Sequence, residues 1–369
     1  MVGWLIFTYL VLFPFGQIIR IGIFHPTDFV SGLFLIFFLF SKFKTPKIYF
    51  NLKRFFFVCL FSLVFSLAFF PLEKVGYGAL YLLRLTAYSS FFVVLWNFCK
   101  ENKEIKNKIF NGLLISLIFV AIFGWIQYFF YSDVRGLYEW GWDDHLFRMV
   151  GTFLDPGFTG IILVFGFLMS LSKKNLFLIL FFLVSIAFTY SRGAYLALIA
   201  GSLVYFVMKR QIKELLFVIF IFGSLVIFLP RPAGEGVKLE RTSSIQSRLS
   251  NYFETLNLIK KSPIFGVGFN NICFAKEKFL GEVDTSSHSC SGADSSLLFI
   301  VATVGTVGFL VFIDLVIGAL RNASYNTTSN SLLFISSLVA ILIDSLFINS
   351  LFYPWVMGYL ALISATTQT

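Results

Sequence analysis

Charged residues are scarce in this 369-residue chain. Only 13% are Asp, Glu, Lys or Arg, whereas 58% are hydrophobic and 20% are aromatic. Soluble proteins carry about 25% charged residues, so a water-soluble globular protein is excluded. The apolar runs instead predict an all-α polytopic membrane protein. The N-terminus lacks the basic segment and the small-residue cleavage site of a signal peptide, so we interpret it as the first membrane span.

Twelve apolar runs follow one another along the chain. They cover residues 2–18, 27–41, 55–70, 77–97, 109–131, 156–171, 175–190, 193–208, 213–230, 294–320, 331–348 and 353–366. Several are shorter than the roughly 20 residues of a spanning helix, so they extend into polar flanks or lie tilted or broken in a bundle. We predict a single integral membrane domain over residues 1–369 with about 12 transmembrane helices, and a long loop, 231–293, between spans 9 and 10.

Lysine and arginine are distributed unevenly between the two predicted sides. Fifteen of the 29 lie in alternate connections, six lie in or near the opposite connections, and eight lie in the loop 231–293. Cytoplasmic connections are enriched in basic residues and long loops are exempt, so the basic side is predicted to be the cytoplasm and to hold both termini. The net charge of +10 is then explained mostly by basic residues at the cytoplasmic membrane surface, where they contact anionic lipid, and it does not indicate nucleic-acid binding.

Several arginines lie on the outer side, against this bias, and the long loop lies there too. The candidates are Arg20, Arg84, Arg148, Arg192 and Arg248. A single arginine at a helix end most often snorkels into the interface. Several on one side favour a shared anionic partner, because the planar guanidinium group binds phosphate in a bidentate manner.

Two polar segments accompany these arginines. In RMVGTFLDPGFTG, residues 148–160, Asp155 and Pro156 are typical of the N-cap and the first position of a helix. A helix start at the outer face is also a weak anion site. Residues 243–271 carry apolar side chains every three to four positions, which predicts an amphipathic helix that ends before Pro263 and lies at the interface or over the bundle.

A third polar segment, residues 286–310, contains two candidate catalytic bases at the entry to the tenth apolar run. They are His288 and Asp294. Asp294 is either a helix cap or a carboxylate that meets a substrate hydroxyl at the outer face. Gly305 and Gly308 have the spacing that permits close helix packing.

Metal ligands are sparse on the predicted outer side. A metal-dependent enzyme would need paired carboxylates on an outer loop, and the first outer loop has only Asp28. The cluster Trp142-Asp143-Asp144-His145 has no recognised ligand spacing, so we interpret it as solvated charges beside interfacial tryptophans and predict neither metal nor cofactor. Cys273 and Cys290 both fall in the long loop, where an oxidising environment would let them form a disulfide.

Four motifs follow one another in the second half of the chain. They are R-x-x-G-T-F-x-D-P at 148–156, T-x-S-R-G-A-x-L-A-L at 189–198, R-L-x-x-Y-F-x-x-L-x-L-I-x-x-S-P-I-F-G-V-G at 248–268, and S-S-L-L-x-x-x-A-T-V-G-T-V-G at 295–308. Together they resemble the O-antigen ligase and O-antigen polymerase superfamily. The resemblance spans residues 148 to about 310. It implies a GT-C-like membrane glycosyltransferase that takes a glycan from a polyprenyl pyrophosphate carrier at the outer leaflet. The acceptor hydroxyl belongs to another lipid-linked glycan, to the lipid A core or, in relatives, to a protein.

The same resemblance assigns roles to individual residues. It puts Arg192, in the Ser-Arg-Gly motif, and Arg248, at the start of the loop helix, at the donor pyrophosphate. Superfamily members often have Asp-Pro-Asn where this chain has Gly157 in the third position. Ligases usually carry His-Asn eleven residues before Gly305, where this chain has Asp294, so either Asp294 replaces that histidine or the loop brings His288 in.

The implied reaction is inverting and metal-independent. An acceptor oxygen attacks the sugar C1 atom, and negative charge grows on the leaving pyrophosphate, where fixed cations stabilise it. Arg192, Arg248, Arg148 and Arg84 are the candidate pyrophosphate ligands, and Asp294 or His288 is the candidate base.

A transporter or flippase of lipid-linked glycan is the rival interpretation. Twelve spans fit it equally well, but a transporter should show related halves and polar groups near the bilayer midplane. Asp314 and Asp344 are the few intramembrane acids, and the sequence offers neither an obvious basic partner. The arginines concentrate at one face instead, which favours surface chemistry.

Overall fold

The structure is a computed structural model that describes residues 2–281, 290, 292–324 and 328–367. Their regular structure is helical, which confirms the all-α class for this part of the chain. The α-helices are α1 (Val2–Leu12), α2 (Pro26–Phe40), α3 (Lys47–Phe65), α4 (Leu72–Glu101), α5 (Lys103–Phe130), α6 (Pro156–Lys173), α7 (Leu176–Ala187), α8 (Arg192–Met208), α9 (Ile212–Phe228), α10 (Ser243–Lys261), α11 (Ile272–Leu280), α12 (Ser296–Ser324), α13 (Ser329–Asp344) and α14 (Pro354–Thr367).

Each of the twelve apolar runs coincides with a helix, and α10 and α11 are the two helices of the long loop. By length and composition, α3, α4, α5, α6 and α12 can each cross a membrane, and α1, α2, α7, α8 and α13 are shorter apolar helices. The chain is therefore a membrane protein with several spanning helices. The count of twelve spans stays a prediction.

The helices pack into one bundle around large apolar side chains. α8 packs against α13, α3 against α12, and α2 against α4. Phe165 of α6 stacks on Tyr359 of α14 with ring centroids 3.9 Å apart, and both side chains are fully buried. Burial of such aromatic pairs holds the bundle and positions the helix ends that carry the polar residues.

Helix α12 is broken at Gly305, where φ is +71°. The Pro-Ile-Phe-Gly-Val-Gly segment, residues 263–268, fills the break, and a Cβ on Gly305 would lie 2.0 Å from the carbonyl oxygen of Ile264. The backbone amides of Val267 and Gly268 donate to the carbonyls of Ala302 and Thr303, and the amides of Thr306 and Val307 donate to the carbonyls of Pro263 and Ile264. The loop thus supplies the hydrogen bonds that the broken helix lacks, which a membrane-embedded backbone requires.

Ion pairs connect helices of the bundle. Arg84 of α4 donates to the Asp28 carboxylate of α2 at 2.8 Å, and both side chains are buried. Asp314 of α12 has a basic partner after all, because Arg54 of α3 donates to it at 2.7 Å. Asp344 accepts a hydrogen bond from the Ser350 hydroxyl at 2.6 Å. The partner of Asp314 lies 260 residues away in sequence, so residue spacing alone could not reveal it.

Candidate anion-binding cavity

A cavity of about 1670 Å³ lies where the starts of α6 and α8, the polar side of α10 and the entry to α12 meet. The segment 135–148 forms another wall. The basic residues that line the cavity are Arg135, Arg148, Arg192, Arg241, Arg248 and Lys276. Its acidic lining residues are Glu139, Asp143, Asp144, Asp155, Glu235, Glu254 and Asp294. The lining is therefore rich in both signs of charge, and which charges are already paired decides what the cavity can bind.

Arg192 lies at the first position of α8. Ser191 caps this helix by accepting a hydrogen bond from the amide of Ala194, so the Ser-Arg-Gly motif is a helix start, as its residue types indicate. The Arg192 guanidinium donates to the carbonyls of Leu239 and Arg241 and to the Ser244 hydroxyl. These acceptors are neutral, so the positive charge of Arg192 is held in place without being neutralised.

Arg148 is only 7% exposed and is also held by neutral groups. Its guanidinium donates to the carbonyls of Thr189 and Tyr190 at 3.0 and 3.3 Å and approaches His145 Nδ1 at 3.5 Å. Burial first, and the charge of Arg241 second, lower the pKa of Arg148 to about 9. The group remains protonated at neutral pH, and an anion in the cavity would relieve this unfavourable burial.

Arg241 is a cavity arginine that the sequence interpretation missed. It is half-buried and donates to the carbonyls of Lys238 and Tyr190, so the Tyr190 carbonyl accepts from both Arg148 and Arg241. Burial, Arg192 and Arg248 all lower the pKa of Arg241. The available signal was its position just before the predicted loop helix; no motif distinguishes it.

Arg248 lies on the polar side of α10. The predicted amphipathic helix is confirmed at Ser243–Lys261, and it ends before Pro263 as expected. Its cavity side carries Ser244, Asn251 and Glu254 beside Arg248. The apolar side chains of the predicted stripe are exposed, namely Ile245, Leu249, Phe253 and Leu256. Within the described part of the chain, no hydrogen bond or salt bridge holds the Arg248 guanidinium, which leaves it available to a ligand.

Asp294 lines the same cavity and does not act as a helix cap. The Ser295 hydroxyl accepts from the Leu298 amide instead, and the backbone of Asp294 is held by Asn251 and Tyr252 of α10. Burial raises the pKa of Asp294, the charge of Arg248 opposes this shift, and Asp143 adds to it. A carboxyl with a raised pKa in a polar cavity is suited to accept a proton.

Asp155 is the N-cap of α6, as its Asp-Pro pattern predicted. One carboxylate oxygen accepts from the amides of Gly157 and Phe158 at 2.7 and 2.8 Å. The other oxygen lies 3.9 Å from His145 Nε2. Asp143, His145 and Asp155 each offer one ligand atom, and these atoms lie within 4.8 Å of one another. The sequence placed Asp143 and His145 together, but it gave no sign that Asp155 joins them.

The remaining predicted residues lie elsewhere. Arg84 does not line the cavity; it binds Asp28 and the Ile23 carbonyl inside the bundle, and this neutralising partner separates it from the other candidate pyrophosphate ligands. Arg20 lies over the Trp142 ring, 5.7 Å from its centroid, at the segment that lines the cavity. His288 falls outside the described residues.

A disulfide joins the loop helices to the cavity. Cys273 of α11 is bonded to Cys290, which lines the cavity shortly before Asp294. Lys276, also on α11, donates to the Gly292 carbonyl at 3.2 Å and lies 3.7 Å from Glu254. These contacts fix the entry to α12 against α10 and α11.

Apolar helices around a polar, arginine-rich cavity define an integral membrane protein whose cavity lies at the starts of α6 and α8. Residues 176–313, over a third of the chain, match the family model described as O-Antigen ligase. The matched region includes Arg192, Arg241, Arg248 and Asp294, and it confirms the resemblance to the O-antigen ligase and polymerase superfamily. Comparison with curated proteins gives no match.

Proposed function

We propose that this chain is a glycosyltransferase of surface-polysaccharide biosynthesis. It moves a glycan from a polyprenyl pyrophosphate carrier to an acceptor hydroxyl at the outer face of the cytoplasmic membrane. The observation that carries the proposal is the convergence of Arg148, Arg192, Arg241 and Arg248 on one cavity with no salt bridge among the described residues. The family match supports an O-antigen ligase or polymerase type of activity.

The arginines account for the donor side of the reaction. A pyrophosphate carries several negative charges, and its oxygens match the fork of guanidinium N–H groups. Arg192 and Arg241 are already oriented by backbone carbonyls, so little reorganisation is needed when the anion enters. As the sugar C1–oxygen bond breaks, negative charge grows on the leaving phosphate, and preorganised donors of this kind stabilise it.

Asp294 accounts for the acceptor side. Its carboxylate would take the proton of the acceptor hydroxyl as the oxygen attacks C1 from the face opposite the leaving group, which inverts the anomeric centre. Burial raises the pKa of Asp294, and the charge of Arg248 opposes that shift. The proposed base for the acceptor hydroxyl therefore lies near an arginine that is proposed to bind the donor pyrophosphate. No step of this transfer needs a metal, because the arginines carry the charge on the leaving group.

Orientation follows from the same proposal. The donor glycan is presented on the outer leaflet, so the cavity, α10 and α11 lie outside the cytoplasm. The distribution of lysine and arginine between the connections predicts the same orientation. About 12 helices then cross the bilayer, with both termini in the cytoplasm. The disulfide between Cys273 and Cys290 supports an oxidising location for this loop.

The test uses purified protein in lipid nanodiscs with a polyprenyl-pyrophosphate glycan and candidate acceptors, and follows the release of free polyprenyl pyrophosphate. We expect turnover in the presence of EDTA, and a loss of about 10²–10³-fold in kcat for Arg192→Ala and for Arg248→Ala. Arg135→Ala is the matched control, because Arg135 lines the same cavity but is paired with Asp133 at 2.6 Å.

Two results would contradict the proposed transferase activity. Absence of turnover with every acceptor, together with movement of the lipid-linked glycan between leaflets, would replace the transferase by the flippase. Equal losses in Arg135→Ala and Arg192→Ala would show that general charge, and not the converging guanidinium groups, controls the rate.

A further inference from the structure

Three potential metal ligands meet at the wall of the cavity, and the proposed transfer does not use them. A carboxylate oxygen of Asp143, an imidazole nitrogen of His145 and a carboxylate oxygen of Asp155 lie within 4.8 Å of one another. Asp143 and His145 belong to the segment between α5 and α6, whereas Asp155 caps α6. The cluster therefore connects a loop to a helix start.

His145 directs one ring nitrogen, Nε2, toward this cluster, and that atom has no hydrogen-bond partner among the described residues. The side chain is 7% exposed, and its Nε2 atom is buried and makes no hydrogen bond among the described residues. Leaving a buried polar atom unsatisfied costs about 1–3 kcal/mol, so the site as it stands lacks one interaction. The atom that Nε2 faces, Asp155 Oδ2 at 3.9 Å, is too far away to supply it.

The two carboxylates add oxygen ligands to the imidazole nitrogen, and one of them is open to solvent. Asp155 Oδ1 is occupied by two backbone amides, so Oδ2 is the oxygen left for a ligand. Asp143 is exposed and lines the cavity, which gives an ion a route from solvent. Burial raises the pKa of Asp155, and the charge of the neighbouring Asp143 carboxylate raises it further.

We propose that Asp143, His145 and Asp155 bind a divalent transition-metal ion, of the Mn²⁺ or Zn²⁺ type, that ties the loop 141–148 to the start of α6. An ion would neutralise two carboxylates and satisfy the buried imidazole nitrogen. Two oxygens and one imidazole nitrogen are ligands that such ions accept. Tetrahedral coordination with bonds of about 2.0–2.2 Å holds ligand atoms about 3.3–3.6 Å apart. Ligand atoms that now lie within 4.8 Å of one another therefore have to approach by up to about 1.5 Å when the ion binds.

Binding also fixes the tautomer of His145. Nε2 must offer a lone pair to the ion, so the ring proton moves to Nδ1 and the 3.5 Å contact with Arg148 lengthens. Arg148 keeps its two carbonyl acceptors, Thr189 and Tyr190, so its side chain stays anchored. The imidazole ring stands between the guanidinium and the ion, because Nδ1 faces Arg148 and Nε2 faces Asp155.

The test measures Mn²⁺ directly, on full-length protein in nanodiscs of zwitterionic lipid, without glycan donor or acceptor. Titration followed by the EPR signal of free Mn²⁺ should show one saturable site. Electron spin echo modulation of the bound ion should show a coupled imidazole nitrogen. Asp143→Asn and Asp155→Asn should weaken binding by at least about tenfold, and His145→Gln should remove the nitrogen coupling.

Asp144→Asn is the matched control. Asp144 is adjacent to Asp143, lines the same cavity and carries the same charge, but it is not one of the three ligands. Asp155→Asn retains a side-chain oxygen for the cap of α6, and Asp143 is exposed, so both variants should fold. Thermal unfolding without metal checks this.

Two results would overturn the inference. One is the absence of saturable Mn²⁺ and Zn²⁺ binding by the wild type; the other is an equal loss of affinity in Asp144→Asn and Asp143→Asn, which would indicate diffuse attraction. The assay contains no glycan, so a failure of the proposed transferase activity would leave its outcome unchanged.

Discussion

Arg84 and Arg148 are equally buried, at 7% exposure each, yet they lie in two regions of opposite character. Arg84 lies inside the bundle, where its guanidinium donates to the Asp28 carboxylate. Arg148 lies at the cavity, where its guanidinium donates to backbone carbonyls. Burial alone therefore does not show whether the charge of an arginine is neutralised. The type of acceptor does, because a carboxylate cancels the charge and a carbonyl only orients it.

The same rule divides the other arginines of the cavity. Arg192 and Arg241 have neutral acceptors and face the cavity. Arg135 faces the cavity too, but Asp133 already neutralises it. An anionic substrate gains most from charges that the protein holds in place without neutralising, since it can supply the missing counter-charge itself.

The largest expected effect comes from breaking the buried ion pair between Arg84 and Asp28. Arg84→Ala leaves Asp28 buried without its counter-ion and should cost about 3–5 kcal/mol of stability. Thermal or denaturant unfolding in detergent measures it, with Arg148→Ala as the matched variant at equal burial. Arg148→Ala breaks hydrogen bonds to carbonyls and none to a carboxylate, so it should cost clearly less. Equal losses would refute the distinction between the two arginines.

The disulfide between Cys273 and Cys290 stabilises the cavity and does not involve the buried pair of Arg84 and Asp28, so its removal tests the cavity separately. Cys273→Ser combined with Cys290→Ser should lower stability by about 3 kcal/mol, since the bond closes a short loop in the unfolded chain. A reducing agent should lower the unfolding temperature of the wild type and leave the double variant unchanged. Modification of four thiols in the denatured, unreduced wild type, instead of Cys59 and Cys99 alone, would contradict it.

The pH dependence tests which group takes the acceptor proton. If Asp294 is the base, it works as the carboxylate, so kcat/KM falls as pH drops through its raised pKa. Asp294→Asn should lower the rate by about 10²-fold, or about 2.7 kcal/mol in activation free energy, and remove that acid limb.

His288→Ala is the matched variant for the pH profile and should keep the limb. His145 cannot supply it, because burial and Arg148 lower its pKa to about 3 and keep it neutral. A limb that disappears only in His288→Ala would assign the proton transfer to the loop histidine instead.

The smallest effect concerns the helix start beside Arg148. Asp155→Ala removes the cap of α6 and should cost about 1 kcal/mol, whereas Asp155→Asn keeps the capping oxygen and should cost little. Unfolding of both variants in parallel separates the cap from the charge. An equal cost for both substitutions would mean that the charge of Asp155, and not its cap, stabilises the wall of the cavity.

Local features of the fold were predictable from the sequence. The apolar runs located the helices of the bundle, Asp155 and Pro156 located the start of α6, and Pro263 located the end of α10. Each of these depends on residues within a few positions of one another. The site was predictable in part, because the motifs that resemble the superfamily include Arg148, Arg192 and Arg248, and Asp294 directly precedes the fourth motif.

The remaining features depend on residues far apart in the chain. The break of α12 is filled by residues 263–268, which the spacing of Gly305 and Gly308 could not indicate. Arg241 has no motif, and only the fold brings it to Arg148 through the Tyr190 carbonyl.

The sequence by itself determined the membrane class, the positions of the helices and the family resemblance, because apolar periodicity, helix caps and short motifs are local. Only the tertiary structure decided which arginines are neutralised, since Asp28 lies 56 residues from Arg84. It also decided that Asp155 meets Asp143 and His145. The physical reason is that electrostatic pairing and metal ligation depend on distances of a few ångströms, and these distances exist only once the helices have packed.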